Sequence, residues 1–313
     1  AVATMVHPAT LVAVLLSLCM KVSAGAGKCE PHTKHAGAAL VQTSRDKIGS
    51  KPVDLELITV FSTECKPYFD WQTLALFQSW RRAHIPGKFV RLVACAKDGQ
   101  AHDLHLPGLE TYTHSVASTW YLPLNKPWGL LSWLSIGTGK HLADNAVILL
   151  VDSDMIFNAG KFEDTVVGLA HQVRSGLVDA LGNDEGYTVA GLKAQNWSLA
   201  AHFNVSNISR LQSIAVPIFI RKDTMMSFLS KYYQITLDIV QDNKLRGLVH
   251  DGFHSAPWIT EMVGYTLATH WLRHETQKEW PMLESPQPPW GARAESPLLI
   301  HYAHGFHVCG RMF

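Results

Sequence analysis

The spacing of apolar and polar positions changes several times along the chain, and each change predicts a different element. Residues 54–62 alternate apolar and polar side chains, which predicts a strand. Residues 68–84 carry apolar side chains at helical spacing, with Asp70 as the candidate N-cap. Residues 88–96 are again strand-like, so this part of the chain predicts a β-α-β unit and a parallel sheet.

The rest of the chain continues this alternation. Residues 98–120 are polar and predict a loop, and Pro127 predicts the start of a short helix over residues 126–136. Residues 296–310 predict a strand that runs into a His-rich loop. Strands are also predicted over residues 145–154, 187–194 and 213–223, and helices over residues 159–176, 224–245 and 256–272. The pattern therefore predicts an α/β domain with a parallel sheet between helices.

The first 52 residues follow a different pattern. Residues 9–20 form an apolar run that is shorter than the roughly 20 residues of a membrane span, and small residues follow it as at a cleavage site. A signal peptide or signal anchor is predicted over residues 1–26, with membrane anchoring through residues 9–20 as one outcome. A short buried helix is the alternative. Residues 27–52 predict a flexible linker, and residues 53–313 the folded domain.

Composition narrows the classes of function. The chain has 313 residues and is 47% hydrophobic, which suffices for a large core and excludes a wholly disordered chain. Its net charge of +1 predicts no general attraction to nucleic acid.

The cysteines and the glycosylation sequons predict the compartment. Cys19 lies in the apolar run, so processing would leave an even number of the 5 cysteines. Cys65 and Cys95 flank one βα unit and are a candidate disulfide, although spacing does not fix the pairing. N-x-S sequons stand at Asn196, Asn204 and Asn207, and like the cysteines they indicate the secretory pathway.

Two carboxylates, Asp152 and Asp154, follow the apolar run 147–151 where a buried strand is predicted to end. In an extended chain they would point the same way, about 6.6 Å apart, and could share a divalent ion. Mn²⁺ and Mg²⁺ prefer such oxygen ligands, and parallel α/β sheets bind ligands at this edge. No Lys or Arg stands beside the pair, so a metal ion is the predicted partner. A solvated acidic loop is the alternative, because D-x-D is a common pattern.

Other candidate groups lie further along the chain. His301, His304 and His307 could supply a nitrogen ligand to the same metal, could bind zinc separately, or could be surface residues in a chain with 17 histidines. Glu261 stands among apolar residues, where a buried carboxylate needs a polar cleft or a cation. An active-site role is one interpretation of Glu261, and an exposed helix face is the other.

Several sequence blocks then add a resemblance. TVFSTECKPYFDWQTLALFQSW, LNKPWGLLSWL, VILLVDSDMIF, PWITEMVGYTLA and LLIHYAHGF occur in this order. Together they resemble the peptidyl serine α-galactosyltransferases of plants and green algae and the related hydroxyproline O-arabinosyltransferases, across roughly residues 55–313. The block FSTECKPYFDWQ is nearer to the serine galactosyltransferases, whereas residues 158–212 match poorly.

The resemblance implies a fold and a reaction. The fold would be a GT-A-type nucleotide-sugar-binding domain with a mostly parallel central sheet flanked by helices. The reaction would be retaining, metal-dependent transfer of a sugar, first of all galactose, from a UDP-sugar to a Ser or hydroxyproline hydroxyl of a secreted or cell-wall glycoprotein. The compartment would be the lumen of the ER or Golgi. The alternatives are arabinosyl transfer, a metal-dependent hydrolase, and a non-catalytic sugar-binding relative.

The resemblance also implies residue roles, position by position. Asp152, Asp154 and His301 would hold Mn²⁺ or Mg²⁺, with His304 as the fallback ligand. Asp154 and Glu261 would be catalytic, and Glu261 would face the sugar and the acceptor. The other implied neighbours of the UDP-sugar are Thr59, Ser62, Glu64, Tyr68, Asp70, Asn125, Lys126, Trp128, Asp152 and Ser153.

Overall fold

The computed structural model describes most of the chain from residue 55 onward. The described residues are 55–95, 103–158, 163–184, 187–206, 208, 211, 214–272, 277–278, 283–284, 297–301, 307–308 and 311–312. The predicted leader, residues 1–26, and the predicted linker, residues 27–52, lie outside this part. Within the described part, no helix combines the length and the apolar character that a membrane span requires.

In the part of the chain that the structure describes, the strands build one large sheet and two small ones. In chain order they are β1 (Leu57–Glu64), β2 (Lys88–Cys95), β3 (Leu109–Ser115), β4 (Val147–Asp152), β5 (Met155–Phe157), β6 (Ala180–Asp184), β7 (Ile214–Arg221), β8 (Gln277–Lys278), β9 (Leu283–Glu284), β10 (Leu299–His301), β11 (His307–Val308) and β12 (Arg311–Met312). The central sheet has the order β3-β2-β1-β4-β7-β6-β8. Its pairs are parallel except those of β7, which runs antiparallel to β4 and β6. The prediction of a mostly parallel central sheet is therefore confirmed.

Helices connect and cover these strands. They are α1 (Pro67–Arg82), α2 (Asn125–Ser135), α3 (Glu163–Arg174), α4 (Tyr187–Ala194), α5 (Ser198–His202), α6 (Lys222–Gln241), α7 (Asn243–Gly247) and α8 (Thr260–Ala268). Short 3-10 turns precede and follow α8 at Pro257–Ile259 and Thr269–Trp271. The predicted helices at α1, α2, α3, α6 and α8 are confirmed.

The structure corrects the predicted strand over residues 187–194. This segment is helix α4, and the neighbouring strand is β6, directly upstream. The buried positions of α4 are Thr188, Gly191 and Leu192, which recur at helical rather than alternating spacing. A short apolar run does not by itself distinguish a helix from a strand, because the sequence does not show which of its positions are buried.

Two further local predictions are wrong. Part of the predicted loop over residues 98–120 is the edge strand β3, whose side chains are mostly half-buried and polar. An edge strand needs fewer apolar residues, so its sequence resembles a loop. Asp70 does not cap α1, because the helix begins three residues earlier at Pro67 and Lys66 occupies the N-cap. Proline is well suited to the first turn, where its missing N–H is not needed.

The centre of the sheet explains the apolar run before the two aspartates. Residues Val147 to Val151 of β4 are at most 1% exposed. Strand β4 lies between β1 and β7, and both of its faces are covered. On one face of the sheet, Phe77 of α1 packs against Phe89 of β2, with ring centroids 5.3 Å apart and the rings tilted to each other. The apolar run ends where the covered part of the sheet ends.

Helices α6 and α8 approach closely at Gly264, and this contact provides a test of the packing. A Cβ on Gly264 would collide with the hydroxyl of Thr236 and lie 3.1 Å from its Cβ. We therefore expect Gly264→Ala to lower the free energy of unfolding by about 2 kcal/mol. Because α8 carries Glu261, the shift should also perturb the site described below. Chemical denaturation of the variant measures the stability change.

A matched control is available in α3. A Cβ on Gly168 would meet no atom within 4 Å, and this residue is exposed. Gly168→Ala should therefore stabilise the protein by up to about 1 kcal/mol through helix propensity alone. Equal effects of the two alanine substitutions would contradict the close packing of α6 and α8.

Candidate active site

Asp152 and Asp154 lie at the carboxyl edge of the central sheet, on a tight turn. Asp152 is the last residue of β4, and Ser153 and Asp154 form the turn that leads into β5. A turn therefore places the two carboxylates, whereas the sequence predicted a straight strand at this point. The Ser153 hydroxyl donates to Gln72 Oε1 of α1 at 2.8 Å and is buried, so α1 anchors the turn.

His301 completes the acidic pair. It belongs to β10, which pairs antiparallel with β5 so that His301 stands opposite Met155. Its Nε2 lies 3.2 Å from Asp154 Oδ1. Burial alone would raise the pKa of Asp154, but the hydrogen bond and charge of His301 outweigh it and hold that pKa below its ordinary value. The predicted ligand set is thus brought together by strand pairing across 147 positions (301 − 154).

The chemistry of this cluster fits a divalent cation. One ligand atom from each of Asp152, Asp154 and His301 lies within 4.8 Å of the others. The three side chains are 20%, 28% and 20% exposed, so solvent reaches the cluster in part. Two carboxylate oxygens and one imidazole nitrogen suit Mn²⁺ or Mg²⁺ with positions left for phosphate oxygens. The fallback ligand His304, like the side chain of His307, lies outside the described residues.

A cation that the local sequence does not contain comes from α2. Lys126 Nζ lies 2.7 Å from Asp152 Oδ1 and 3.3 Å from Glu261 Oε2. Burial alone would lower the pKa of Lys126, but the two carboxylates outweigh it and hold that pKa above its ordinary value. Asp152 therefore has a partner other than a metal ion. The prediction that only a metal could pair with it rested on the absence of a Lys or Arg nearby in the sequence, and the fold supplies Lys126.

The structure decides between the two interpretations of Glu261, a buried site beside a cation and an exposed helix face. Glu261 is 5% exposed in the first turn of α8 and pairs with Lys126, so the exposed-face interpretation is wrong. Its backbone N–H donates to Tyr121 Oη at 2.8 Å, and the same hydroxyl donates to the Trp258 carbonyl at 3.1 Å. Burial and the charge of Glu261 raise the pKa of Tyr121, which keeps its proton. Sequence reasoning missed Tyr121, since no local pattern marks it.

Some of the implied donor-binding residues lie near this edge. Ser62 stands opposite Asp152 in the register of β1 and β4. Glu64 ends β1, is buried and pairs with Lys66, and Tyr68 follows on α1 with 57% exposure. Ser62 and Glu64 therefore lie at the same edge of the sheet as the cluster, and Tyr68 lies in the first turn of the helix that follows β1.

Other implied residues are already engaged elsewhere. Thr59 is fully buried inside β1, short of the strand end. The Asn125 side chain is buried and bonds the backbone of the loop at Ala117 and Ser118. The Trp128 indole donates to the Ser115 carbonyl at 2.9 Å. These contacts do not test donor binding, so the assignment of Thr59, Asn125 and Trp128 to the nucleotide sugar stays a prediction.

Asp70 also has a structural partner. Its Oδ1 accepts from Arg91 at 2.9 Å, and Arg91 Nε donates to Thr63 Oγ1 at 2.9 Å. The Arg91 side chain is 0% exposed, and its burial lowers the pKa of the guanidinium, an effect that Asp70 opposes. Asp70 therefore fastens α1 to β2 beside the site.

This pairing predicts a stability effect. Asp70→Asn should lower the free energy of unfolding by about 2 kcal/mol, because it leaves a buried guanidinium without its counterion. Thermal or chemical unfolding measures the change. Asp164→Asn, in the exposed first turn of α3, is the control and should be nearly neutral. An unchanged stability with a raised KM for the sugar donor would instead assign Asp70 to donor binding.

The candidate disulfide is confirmed. Cys65 and Cys95 are bonded, with their Cα atoms 5.1 Å apart. The bond joins the chain just after β1 to the end of β2, next to Glu64. Cys29 and Cys309 lie outside the described residues.

These features define an α/β protein with an Asp-Asp-His cluster and a largely buried lysine at the carboxyl edge of its sheet. No family model matches the chain. It is similar to a peptidyl serine alpha-galactosyltransferase of Chlamydomonas reinhardtii, with 25% identity over 269 residues, 79% of this chain and 34% of that protein. The enzyme of the same name from Arabidopsis thaliana is 26% identical over 263 residues, 80% of this chain and 30% of that protein.

A third relative extends the comparison. Hydroxyproline O-arabinosyltransferase 3 of Arabidopsis thaliana is 24% identical over 191 residues, 59% of this chain and 46% of that protein. The chain therefore spans between 30% and 46% of the length of these relatives. The resemblance predicted from the sequence blocks is confirmed.

The chain is less similar to proteins of solved structure. The apo WbbM bifunctional glycosyltransferase gives a TM-score of 0.47 at 12% identity, covering 82% of this chain and 47% of that one. The galactosyltransferase LgtC gives 0.45 at 10% identity, covering 79% and 87%. Mouse xyloside xylosyltransferase 1 gives 0.43 at 11% identity, covering 80% and 98%. Such TM-scores are too low to support a functional argument.

Proposed function

We propose that this protein is a metal-dependent glycosyltransferase of GT-A type. It would move a sugar from a UDP-sugar to a Ser or hydroxyproline hydroxyl of a secreted or cell-wall glycoprotein. The observation that carries the proposal is the Asp152–Asp154–His301 cluster beside Lys126. The relatives named as galactosyl- and arabinosyltransferases support glycosyl transfer. Galactose is the proposed sugar, because both relatives named for peptidyl serine are galactosyltransferases. Arabinose is the alternative, because the third relative is named an arabinosyltransferase.

The roles of the acidic cluster and the lysine follow from charge. Asp152, Asp154 and His301 would hold Mn²⁺ or Mg²⁺, which when bound neutralises charge on the phosphates of a nucleotide sugar. Lys126 is a largely buried cation beside the cluster, with 13% of its side chain exposed, and it contacts Asp152 at 2.7 Å. We propose that it stabilises the negative charge that grows on the diphosphate as the sugar leaves. A buried cation is effective in this role, because little water screens it.

Glu261 is the proposed catalytic carboxylate. Lys126 holds one of its oxygens, and Tyr121 fixes its backbone N–H, so the side chain is oriented from two sides. It could act as a nucleophile or orient the acceptor hydroxyl while the departing phosphate takes the proton, and both routes retain configuration. Ser62, Glu64, Tyr68 and Ser153 remain the proposed surroundings of the nucleotide.

A donor screen tests the proposal. Purified protein with Mn²⁺ would be given UDP-galactose, UDP-arabinofuranose or UDP-glucose together with Ser-Hyp peptides. We expect transfer from UDP-galactose that requires both the metal and the peptide and stops on chelation. The α-configuration of the product, measured by NMR, would establish retention. Hydrolysis without a nucleotide-sugar requirement would favour the hydrolase, and binding without turnover would favour the non-catalytic relative.

The proposed compartment is the lumen of the secretory pathway. The Cys65–Cys95 bond suits an oxidising compartment, and the sequon residues Asn196 and Asn204 are exposed in turns. Anchoring through residues 9–20 remains part of this proposal. A mature cytosolic protein that retains residues 5–24, identified by N-terminal sequencing, would contradict it.

A further inference from the structure

A small cavity adjoins the contact between Lys126 and Glu261. Its volume is about 20 Å³. A bound water needs roughly 10–15 Å³ of such a cavity, so a water molecule fits. Two tyrosines, Tyr232 of α6 and Tyr265 of α8, line the cavity together with Lys126 and Glu261. We call it the tyrosine cavity.

The tyrosine cavity lies where the central sheet opens between β4 and β7. The register of these two strands ends with Leu150 opposite Ile218, and both residues line the cavity. Pro217, the neighbouring residue of β7, has no N–H with which to extend the ladder. The register of β7 with β6 also shifts at this level, between Gly182 and Asn183. The cavity is therefore a consequence of how the strands pair.

The two tyrosines bring polar groups that need a partner. Tyr232 is fully buried, and Tyr265 is 3% exposed. Their rings pack edge to face, with centroids 5.3 Å apart. Among the residues that the structure describes, neither hydroxyl has a hydrogen-bond partner. Because an unsatisfied buried hydroxyl is destabilising, proteins almost always pair it with a protein group or an ordered water. Two such hydroxyls beside one cavity of this size indicate a water site.

The tyrosine cavity also links Tyr265 to Glu261. These residues are four positions apart in α8, so their side chains lie on the same face of the helix. Burial and the negative charge of Glu261 raise the pKa of the Tyr265 hydroxyl. Tyr265 therefore keeps its proton and can donate a hydrogen bond into the cavity.

We propose that the tyrosine cavity binds a water molecule that accepts from the hydroxyls of Tyr232 and Tyr265 and donates to the Glu261 carboxylate. A water has two acceptor and two donor positions, so three such partners satisfy it well. The tyrosines are then positioning residues, which orient Glu261 through the water without touching substrate. The role in sugar transfer rests on the proposed function of Glu261, whereas the water site itself does not.

Removal of the hydroxyls tests the inference in the full chain. The variants are Tyr232→Phe, Tyr265→Phe and the double variant, each of which keeps the rings and their packing. The control is Tyr112→Phe in the edge strand β3, which removes a hydroxyl that shares a hydrogen bond with the Ser132 hydroxyl at 2.9 Å. The measurements are a high-resolution crystal structure, the melting temperature, and the kcat and KM of sugar transfer.

We expect an ordered water in the tyrosine cavity of the wild type and none in the double variant. Each single variant should lower the melting temperature by about 2 °C, because the water loses a partner. Each should also lower kcat about tenfold with an unchanged KM for the donor, because Glu261 is less well oriented in the transition state. The second substitution should have a smaller effect than the first, since both act on one water.

The control separates positioning from stability. Tyr112→Phe should lower the melting temperature to a similar extent and leave kcat unchanged. A higher melting temperature in Tyr232→Phe or Tyr265→Phe would overturn the inference, because the removal of a hydroxyl with no partner is stabilising. The absence of an ordered water from the wild-type crystal structure would also overturn it.

The inference and the proposed function fail separately. If no donor is turned over, but the water is observed and both single variants have a lower melting temperature, the proposed function fails and the water site stands. If sugar transfer proceeds with the same kcat in the wild type and both single variants, the positioning role fails and the proposed function stands.

Discussion

Asp154→Asn is expected to reduce sugar transfer by about three orders of magnitude while leaving the fold intact. The substitution keeps the shape of the side chain but removes the charge that Asp154 contributes to the Asp-Asp-His cluster. It also weakens the contact with His301 Nε2, which lies 3.2 Å away. The transfer rate at saturating donor is the first measurement, and Mn²⁺ affinity by calorimetry is the second.

The control is the same Asp→Asn substitution at a different aspartate. Asp164→Asn alters an exposed aspartate in the first turn of α3 and should leave the transfer rate and the metal affinity unchanged. The metal assignment would be wrong if Asp154→Asn bound Mn²⁺ as tightly as the wild type. It would also be wrong if the loss of activity came with an equal loss of folded protein, since the carboxylate would then be structural.

The sequence predicted the elements whose pattern is local. The run from Val147 to Val151 reads as a buried strand because it lies at the centre of the sheet, where every position is covered. Helix α1 is equally clear because its buried residues recur at helical spacing, and strand β2 because it is a short run that is buried at every position after Lys88. Strand β3 was missed, since an edge strand has a half-exposed, polar sequence.

The candidate site depended on contacts that no local pattern encodes. Lys126 reaches Asp152 because α2 returns across the sheet between β3 and β4, and the sheet order decides which side chains meet. The contact between Asp70 and Arg91 likewise depends on how α1 packs against β2, which no local pattern encodes. The histidine pattern made His301 one of three candidate ligands, and the resemblance put it ahead of His304. Its pairing with Met155 is what brings it to Asp154.

The pH dependence of the lysine contact has a definite sign. The pKa of Lys126 is raised in the folded protein, so the folded state holds this proton more tightly than the unfolded state. Its contribution to stability is therefore fully present below the ordinary lysine pKa of about 10.4 and is lost as pH rises through the raised value. The stability difference between the wild type and Lys126→Met should be constant from neutral pH to about pH 9 and shrink above about pH 10.

Lys126→Met should be the most damaging substitution in the site for stability and activity together. It leaves Glu261, 5% exposed, as a buried carboxylate without its cation, and it removes the contact at 2.7 Å to Asp152. We expect the free energy of unfolding to fall by about 3 kcal/mol and transfer to be lost. Lys193→Met, at an exposed position in α4, is the control and should be nearly neutral.

A double-mutant cycle separates charge balance from catalysis. Adding Glu261→Gln to Lys126→Met removes the buried negative charge that has lost its contact with Lys126, so much of the lost stability should return. Activity should not return, because both the cation beside the diphosphate and the carboxylate beside the sugar would be absent. Denaturant unfolding of the four proteins gives the coupling free energy between the two residues, and the transfer rate gives the functional effect. A double variant no more stable than Lys126→Met would show that the lysine acts through Asp152 and not through Glu261. A double variant that recovered transfer would contradict the proposed role of both residues.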